Sequence, residues 1–298
     1  MTRAERRWTV QCHPMNSPSP DRDSDFVPVT LAESLKLTAP PADHRLAYGT
    51  DPEQFGELRL PKTRGPHPVA VLLHGGCWRA ALNLHFIGSL ADALPREGIA
   101  SWNVEYRRVG NPGGGWPGTF EDVANGAAYL HEIAPRFDLD LSRVVAVGHS
   151  AGGHLALWLG AQKRIAKSGS LAEPIALRGV VSLAGVTDLR AALKKNCSCF
   201  DIVEKLMGGK TESSPERYRA ASPIEMLPLG LPQRLIHGAK DVSVPLKMCE
   251  DYVAAAVEQG EDIQLIVLPF AGHFELIDPG SLAWETVMGA IRELIAVS

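Results

Sequence analysis

An α/β architecture, with a mainly parallel central sheet of about eight strands and helices on both faces, is what this 298-residue sequence predicts. Three observations carry the expectation. From about residue 44 onward, short apolar stretches alternate with helix-length segments, as they do when helices pack on a parallel sheet. The central stretches are nearly continuous apolar runs, which suits strands that meet water on neither face. One of these runs also ends in a glycine-flanked turn that leads straight into an amphipathic segment.

Taken in order, His44–Tyr48 and Phe55–Leu60 read as an opening pair of strands. Val69–Leu73, Ala100–Val104, Val144–Val147, Val180–Leu183, Arg234–Ile236 and Gln264–Leu268 follow. Helical spacing falls near 84–96, 119–134, 151–163, 246–259 and 281–296, with Gly or Pro closing several segments. Ligands in such an arrangement bind at the C-terminal edge of the sheet. Residues 186–230 break the rhythm with Lys194, Lys195, Gly208, Gly209 and several prolines. This excursion reads either as a roof over a site or as a surface insertion. Residues 1–30, rich in Pro, Ser and Asp, show neither period and read as a flexible tail, with Met1 or Met15 as the start. Residues 31–298 then form a single domain.

Composition narrows the functional classes. Apolar residues are 45% and charged residues 21%, so a sizeable core is expected. Thirty basic residues against 34 acidic ones leave no cationic footprint for nucleic acid or an anionic membrane. No run reaches the roughly 18 to 20 apolar residues of a membrane span. Arg3, Arg6 and Arg7 are followed by Gln11, His13, Pro14 and Asn16 rather than an apolar core, so a cytoplasmic location is expected. The cysteines, Cys12, Cys77, Cys197, Cys199 and Cys249, are odd in number and lack zinc-type spacing. They read as free thiols, with Cys197-Ser198-Cys199 as a weak redox or soft-metal alternative. A small-molecule substrate, no cofactor, no metal and a monomer or homodimer are the resulting expectations.

The chemistry-bearing segment is Val144 to Ala156, which contains Gly148-His149-Ser150-Ala151-Gly152-Gly153-His154. Its Gly-x-Ser-x-Gly pattern between strand and helix is that of a nucleophile elbow, where small residues let the chain turn tightly and lift the serine hydroxyl above the sheet. Ser150 then stands at a helix N-terminus, where unpaired N–H groups favour developing negative charge. After Val69–Leu73 comes His74-Gly75-Gly76-Cys77-Trp78. Glycines there let backbone donors approach a tetrahedral intermediate, so Gly76, Cys77 and Ala151 are the expected oxyanion donors. Trp78 and Trp116 are candidates for the substrate pocket, Trp78 being equally readable as core. His74 is expected to brace this loop.

A serine, acid, histidine order is required of the remaining partners. His273, in the turn Pro269-Phe270-Ala271-Gly272-His273-Phe274 after the last strand, is the expected base. Asp241, in the loop after the penultimate strand, is the expected acid, with Asp188 as its rival. His149 and His154 read as packing residues.

These motifs make the chain from about residue 44 resemble the esterase/lipase-like α/β hydrolases, especially the branch with kynurenine formamidases (arylformamidases) and small carboxylesterases. His-Gly-Gly-x-Trp at 74–78, Gly-His-Ser-Ala-Gly-Gly-His at 148–154, and the Asp241 and His273 loops carry the likeness. Tyr48-Gly49-Thr50-Asp51-Pro52-Glu53-Gln54 adds to it. The resemblance implies the α/β-hydrolase fold, the catalytic triad Ser150, Asp241 and His273, no cofactor, and hydrolysis of an ester or activated amide. Cys77 and the loop Gly113-Gly114-Gly115-Trp116-Pro117 depart from that branch, and with 186–230 they are expected to shape the pocket. Two other readings remain at this point: a peptidase or acyl-peptide hydrolase, and a silent member of the fold that only binds.

Overall fold

A computed structural model describes residues 26–162 and 173–296 of the chain. Most of the expected N-terminal tail, with Cys12 and Met15, lies outside the described residues. Eight strands, β1 (His44–Ala47), β2 (Phe55–Arg59), β3 (His67–Leu73), β4 (Ala100–Val104), β5 (Leu139–His149), β6 (Gly179–Leu183), β7 (Gln233–Gly238) and β8 (Ile263–Leu268), form one sheet. Their spatial order is β1-β2-β4-β3-β5-β6-β7-β8. The pairs β1/β2 and β2/β4 are antiparallel, and every later pairing is parallel. Register aligns Trp102, Val71, Ala146, Val180, Gln233 and Ile263 across the sheet. The C-terminal ends of β3, β5, β7 and β8 therefore open along one edge.

Period-two alternation divides the strand side chains between two cores. Val69, Val71, Leu73, Val144 and Ala146 face one core with α3 (Gly118–Ala128), α4 (Leu130–Phe137), α5 (Ala151–Gly160) and α8 (Leu246–Glu258). Ala70, Leu72, Val145 and Val147 face the other, with α2 (Gly88–Ala93) and α9 (Trp284–Ala296). Both faces are thus covered, which is why the central strands carry so few polar residues. Among the described residues, no helix is long and apolar enough to cross a membrane.

The excursion between β6 and β7 folds into α6 (Val203–Met207), α7 (Pro215–Ala221) and short 3₁₀ turns. Its Leu189, Ile202, Leu206 and Tyr218 are buried in the same core as α3 to α5. Two links fasten it to the loop after β3. Cys77 and Cys199 form a disulfide, and Asp201 accepts from the Arg79 guanidinium at 2.6 Å. The disulfide corrects the reading of these cysteines as free thiols; Cys197 and Cys249 are free and buried.

Ahead of the sheet stands a helical turn absent from the sequence expectation, α1 (Leu31–Ser34). A capping box builds it: the Thr30 hydroxyl accepts from Glu33 N, and the Glu33 carboxylate accepts from Thr30 N at 2.8 Å.

Candidate active site

β5 ends at His149 and α5 begins at Ala151, so Ser150 alone makes the turn between them. Its φ of 56° and ψ of −119° are a costly conformation for a residue with a side chain. Close packing enforces it. A Cβ on Gly148 would lie 2.0 Å from Gly152 O, and one on Gly152 would lie 1.9 Å from Leu73 O. The strand-to-helix turn can therefore be held only by glycines at these two places.

At the end of β3, Gly76, Cys77 and Trp78 have φ of 107°, 50° and 54°, three successive left-handed residues. Such a run curls the backbone so that neighbouring N–H groups point inward rather than alternating. The loop is anchored from below. His74 meets Glu105 Oε1 at Nε2 (2.9 Å) and Gly75 O at Nδ1 (2.8 Å), while the Tyr106 hydroxyl donates to His74 O (2.7 Å). Tyr106 also stacks on the His74 ring. Burial acts to raise the Glu105 carboxyl, but His74, Arg108 and Leu84 N together hold it below the usual carboxylate range. Ala151 opens α5, so its N–H has no partner within the helix.

The Asp241 carboxylate is hidden from solvent, and both of its oxygens are engaged. Its Oδ1 accepts from Ser243 N (2.7 Å) and Val244 N (2.9 Å), and its Oδ2 accepts from His273 Nδ1 (2.7 Å). Burial acts to raise this carboxyl, yet the His273 hydrogen bond, the charges of His273 and His237 and the Val244 N–H hold it low. A carboxylate at Nδ1 leaves Nε2 as the ring nitrogen available to the cavity. The rival, Asp188, is spent elsewhere: its Oδ1 caps the turn that begins at Arg190 and Ala191.

Ser150, His273, Gly76 and Cys77 line one cavity of about 320 Å³. Leu31, Leu82, Phe86 and Phe274 supply apolar walls, while Ser198 and Ser243 add hydroxyls and Arg79 a charge. Ser198 shows that the 186–230 excursion reaches the cavity. Trp78 and Trp116 are not among the residues lining it. Trp78 is fully buried, with its indole N–H directed at His154 Nδ1 (3.2 Å), and Trp116 packs edge-on against Phe120. Being aromatic beside a glycine-rich loop was a poor guide to which way these rings point.

Two residues near the cavity were not legible as partners. His149 lines it and directs Nε2 at the carbonyl of His273 (2.9 Å), bracing the backbone of the loop that carries that histidine. Burial, then the nearby His273, pushes the His149 imidazole down to about 3, so the ring is neutral and donates from Nε2. Glu275, two residues beyond His273, accepts from Gly272 N (2.9 Å) and from Val29 N (2.6 Å). No spacing rule in the sequence marks either contact. Among the described residues, no group of three or more His, Cys, Asp or Glu is placed to hold a metal ion.

Comparison with known proteins gives the family and the fold. The model of the family described as BD-FAE matches residues 57–255. A probable isoprenylcysteine alpha-carbonyl methylesterase from Oryza sativa subsp. japonica is 25% identical over 248 residues, covering 78% of this chain and 56% of the relative. The chain thus spans about half the length of the curated relatives it matches. Among solved structures, a truncated carbohydrate esterase from gut microbiota superposes with a TM-score of 0.74 at 20% identity, covering 88% of this chain and 99% of that one. A bacterial heroin esterase gives 0.70 at 22% identity, covering 93% and 90%. The fold is that of an α/β hydrolase, as the sequence predicts.

Proposed function

The chain belongs to the BD-FAE family, and from that premise we propose that it is a serine hydrolase that cleaves small-molecule carboxylic esters through an acyl-enzyme on Ser150. One observation carries the reading. A buried carboxylate bonded at 2.7 Å to His273 Nδ1 leaves the other ring nitrogen for a cavity that also holds a serine on a strained elbow. The names of the relatives, a methylesterase and two esterases, support ester over formamide or peptide bonds.

In this mechanism the Ser150 hydroxyl attacks the ester carbonyl while His273 Nε2 takes its proton. Asp241 holds the imidazole in the tautomer with Nδ1–H and stabilises the imidazolium that forms. The tetrahedral oxyanion receives N–H donors from Gly76, Cys77 and Ala151. His273 returns the proton to the departing alcohol, leaving Ser150 acylated. Water, deprotonated by the same imidazole, then releases the acid and restores the hydroxyl.

Linear activated amides, the substrates implied by the arylformamidase resemblance, fit the same steps with an amine as leaving group. A panel of p-nitrophenyl acetate, N-formylkynurenine and a peptidyl anilide separates the possibilities. Ester turnover is expected from the wild type, and Ser150→Ala should remove it with the circular dichroism spectrum unchanged. Ser150→Ala protein that cleaved the acetate at the parental rate would end the proposal.

A further inference from the structure

The reaction just described needs nothing ahead of β1, yet residues before the sheet border the cavity. Leu31, the first residue of α1, lines it beside Ser150 and His273. Leu31 is 42% exposed, so its side chain is open to a molecule that enters the cavity. Its position is not left to chance. The buried Glu275 carboxylate accepts Val29 N at 2.6 Å with one oxygen and Gly272 N at 2.9 Å with the other. Pro28 rests on Gly272, where a side chain's Cβ would come within 2.6 Å of the proline ring. The Thr30–Glu33 capping box then fixes the direction in which Leu31 leaves the backbone.

A carboxylate with little solvent contact is costly unless both oxygens are satisfied, and here the two N–H groups belong to segments 246 residues apart in one case and three in the other. The same group therefore ties the segment at 28–34 to the loop that presents His273. Leu82, Phe86 and Phe274 line the same cavity as Leu31, so four apolar side chains border the space that Ser150 also lines.

We propose that residues 28–34 form a substrate wall, in which Leu31 is a specificity-determining residue that contacts the apolar group of the ester and Glu275 is the positioning residue that holds the wall. The inference rests on the serine-hydrolase reading and names its substrate class: esters carrying an aliphatic or aromatic group of several carbons next to the reacting carbonyl.

The test uses the full chain and p-nitrophenyl acetate, butyrate and hexanoate, with kcat and KM measured separately. Leu31→Ala is expected to lower kcat/KM for hexanoate about tenfold more than for acetate, through KM, because the lost contact is with the chain rather than with the carbonyl. Leu31→Trp, which narrows the space, should shift preference further toward acetate. Glu275→Gln keeps one acceptor oxygen for two donors, and its loss of chain-length preference should track that of Leu31→Ala. An unchanged chain-length profile in both Leu31 variants overturns the wall. Equal loss on acetate and hexanoate through kcat in Glu275→Gln confines that residue to the His273 loop and overturns its proposed role. A poorly folding Glu275→Gln leaves the decision to the two variants at the exposed Leu31 side chain. Failure here with Ser150-dependent ester turnover intact leaves the serine-hydrolase reading standing; a wild type that cleaves none of the three esters overturns both.

Discussion

At the residue scale, the distance of 2.7 Å between Asp241 Oδ2 and His273 Nδ1 is worth more than any sequence pattern, because it fixes the tautomer of the proposed base. Asp241→Asn presents an amide where a carboxylate stood, and the ring then turns or takes the opposite tautomer. The expected result is a fall in kcat of about a thousandfold or more with native circular dichroism; a fall of less than tenfold would contradict the assignment. The sequence proposes Ser150, Asp241 and His273 from motif, chain order and loop placement, and the structure brings His273 to Asp241 and to the cavity that Ser150 lines. The sequence could not supply Trp78's orientation, His149's bond to the His273 carbonyl or Glu275's reach to Val29, since each depends on groups distant in the chain.

At the element scale, the strands were legible and the connections less so. Apolar runs with flanking glycines located all eight strands to within a few residues, save that β5 begins at Leu139, ahead of the run at Val144. Leu139 pairs with His67 of β3 ahead of a register shift, and Leu139-Asp140-Leu141-Ser142-Arg143 mixes polar with apolar side chains, so no continuous apolar run marked this part of the strand. The segment from 186 to 230 hid α6 and α7 because helices of five and seven residues are too short to show a period. The turn at Leu31–Ser34 did leave a trace, Thr30 followed three residues later by Glu33, a capping box that a search for helix starts would find. The elbow's own geometry makes a sharp prediction. Gly152→Ala places a Cβ 1.9 Å from Leu73 O, so β3 and α5 must separate. Stability should drop by more than about 4 kcal/mol, seen as a lowered urea midpoint or as insoluble protein.

For the molecule as a whole, buried imidazoles set the response to acid. Burial pushes His154 down to about 4, although its bond to Ala221 O acts in the opposite direction. The folded chain then resists a proton that the unfolded chain accepts below the ordinary histidine value near 6.5. Stability from this ring is therefore complete above pH 6.5 and declines as pH falls toward about 4. At pH 5 the loss is about 2 kcal/mol for this one side chain. His149, held lower still, acts in the same direction, and the depressed Asp241 withdraws its contribution only in stronger acid. Gln at 154 can accept from Trp78 and donate to Ala221 without titrating. Urea unfolding of His154→Gln at pH 7.5 and pH 5 should accordingly show a smaller difference between the two midpoints than the wild type; an equal difference would assign the acid response to other groups.

The crosslink between Cys77 and Cys199 joins residues 122 apart, one itself an expected oxyanion donor and one on the excursion that brings Ser198 to the cavity. Such a ring withholds chain entropy from the unfolded ensemble, by about 4 to 5 kcal/mol for a loop of this length. Excess dithiothreitol should consequently lower the melting temperature of the wild type but not that of Cys199→Ser, whose ring is already open. Glutathione-rich compartments reduce bonds of this kind and oxidising ones preserve them. The thiol poise of its surroundings thus decides whether the loop after β3 and the excursion share a covalent bond or are held only by contacts such as that of Arg79 with Asp201.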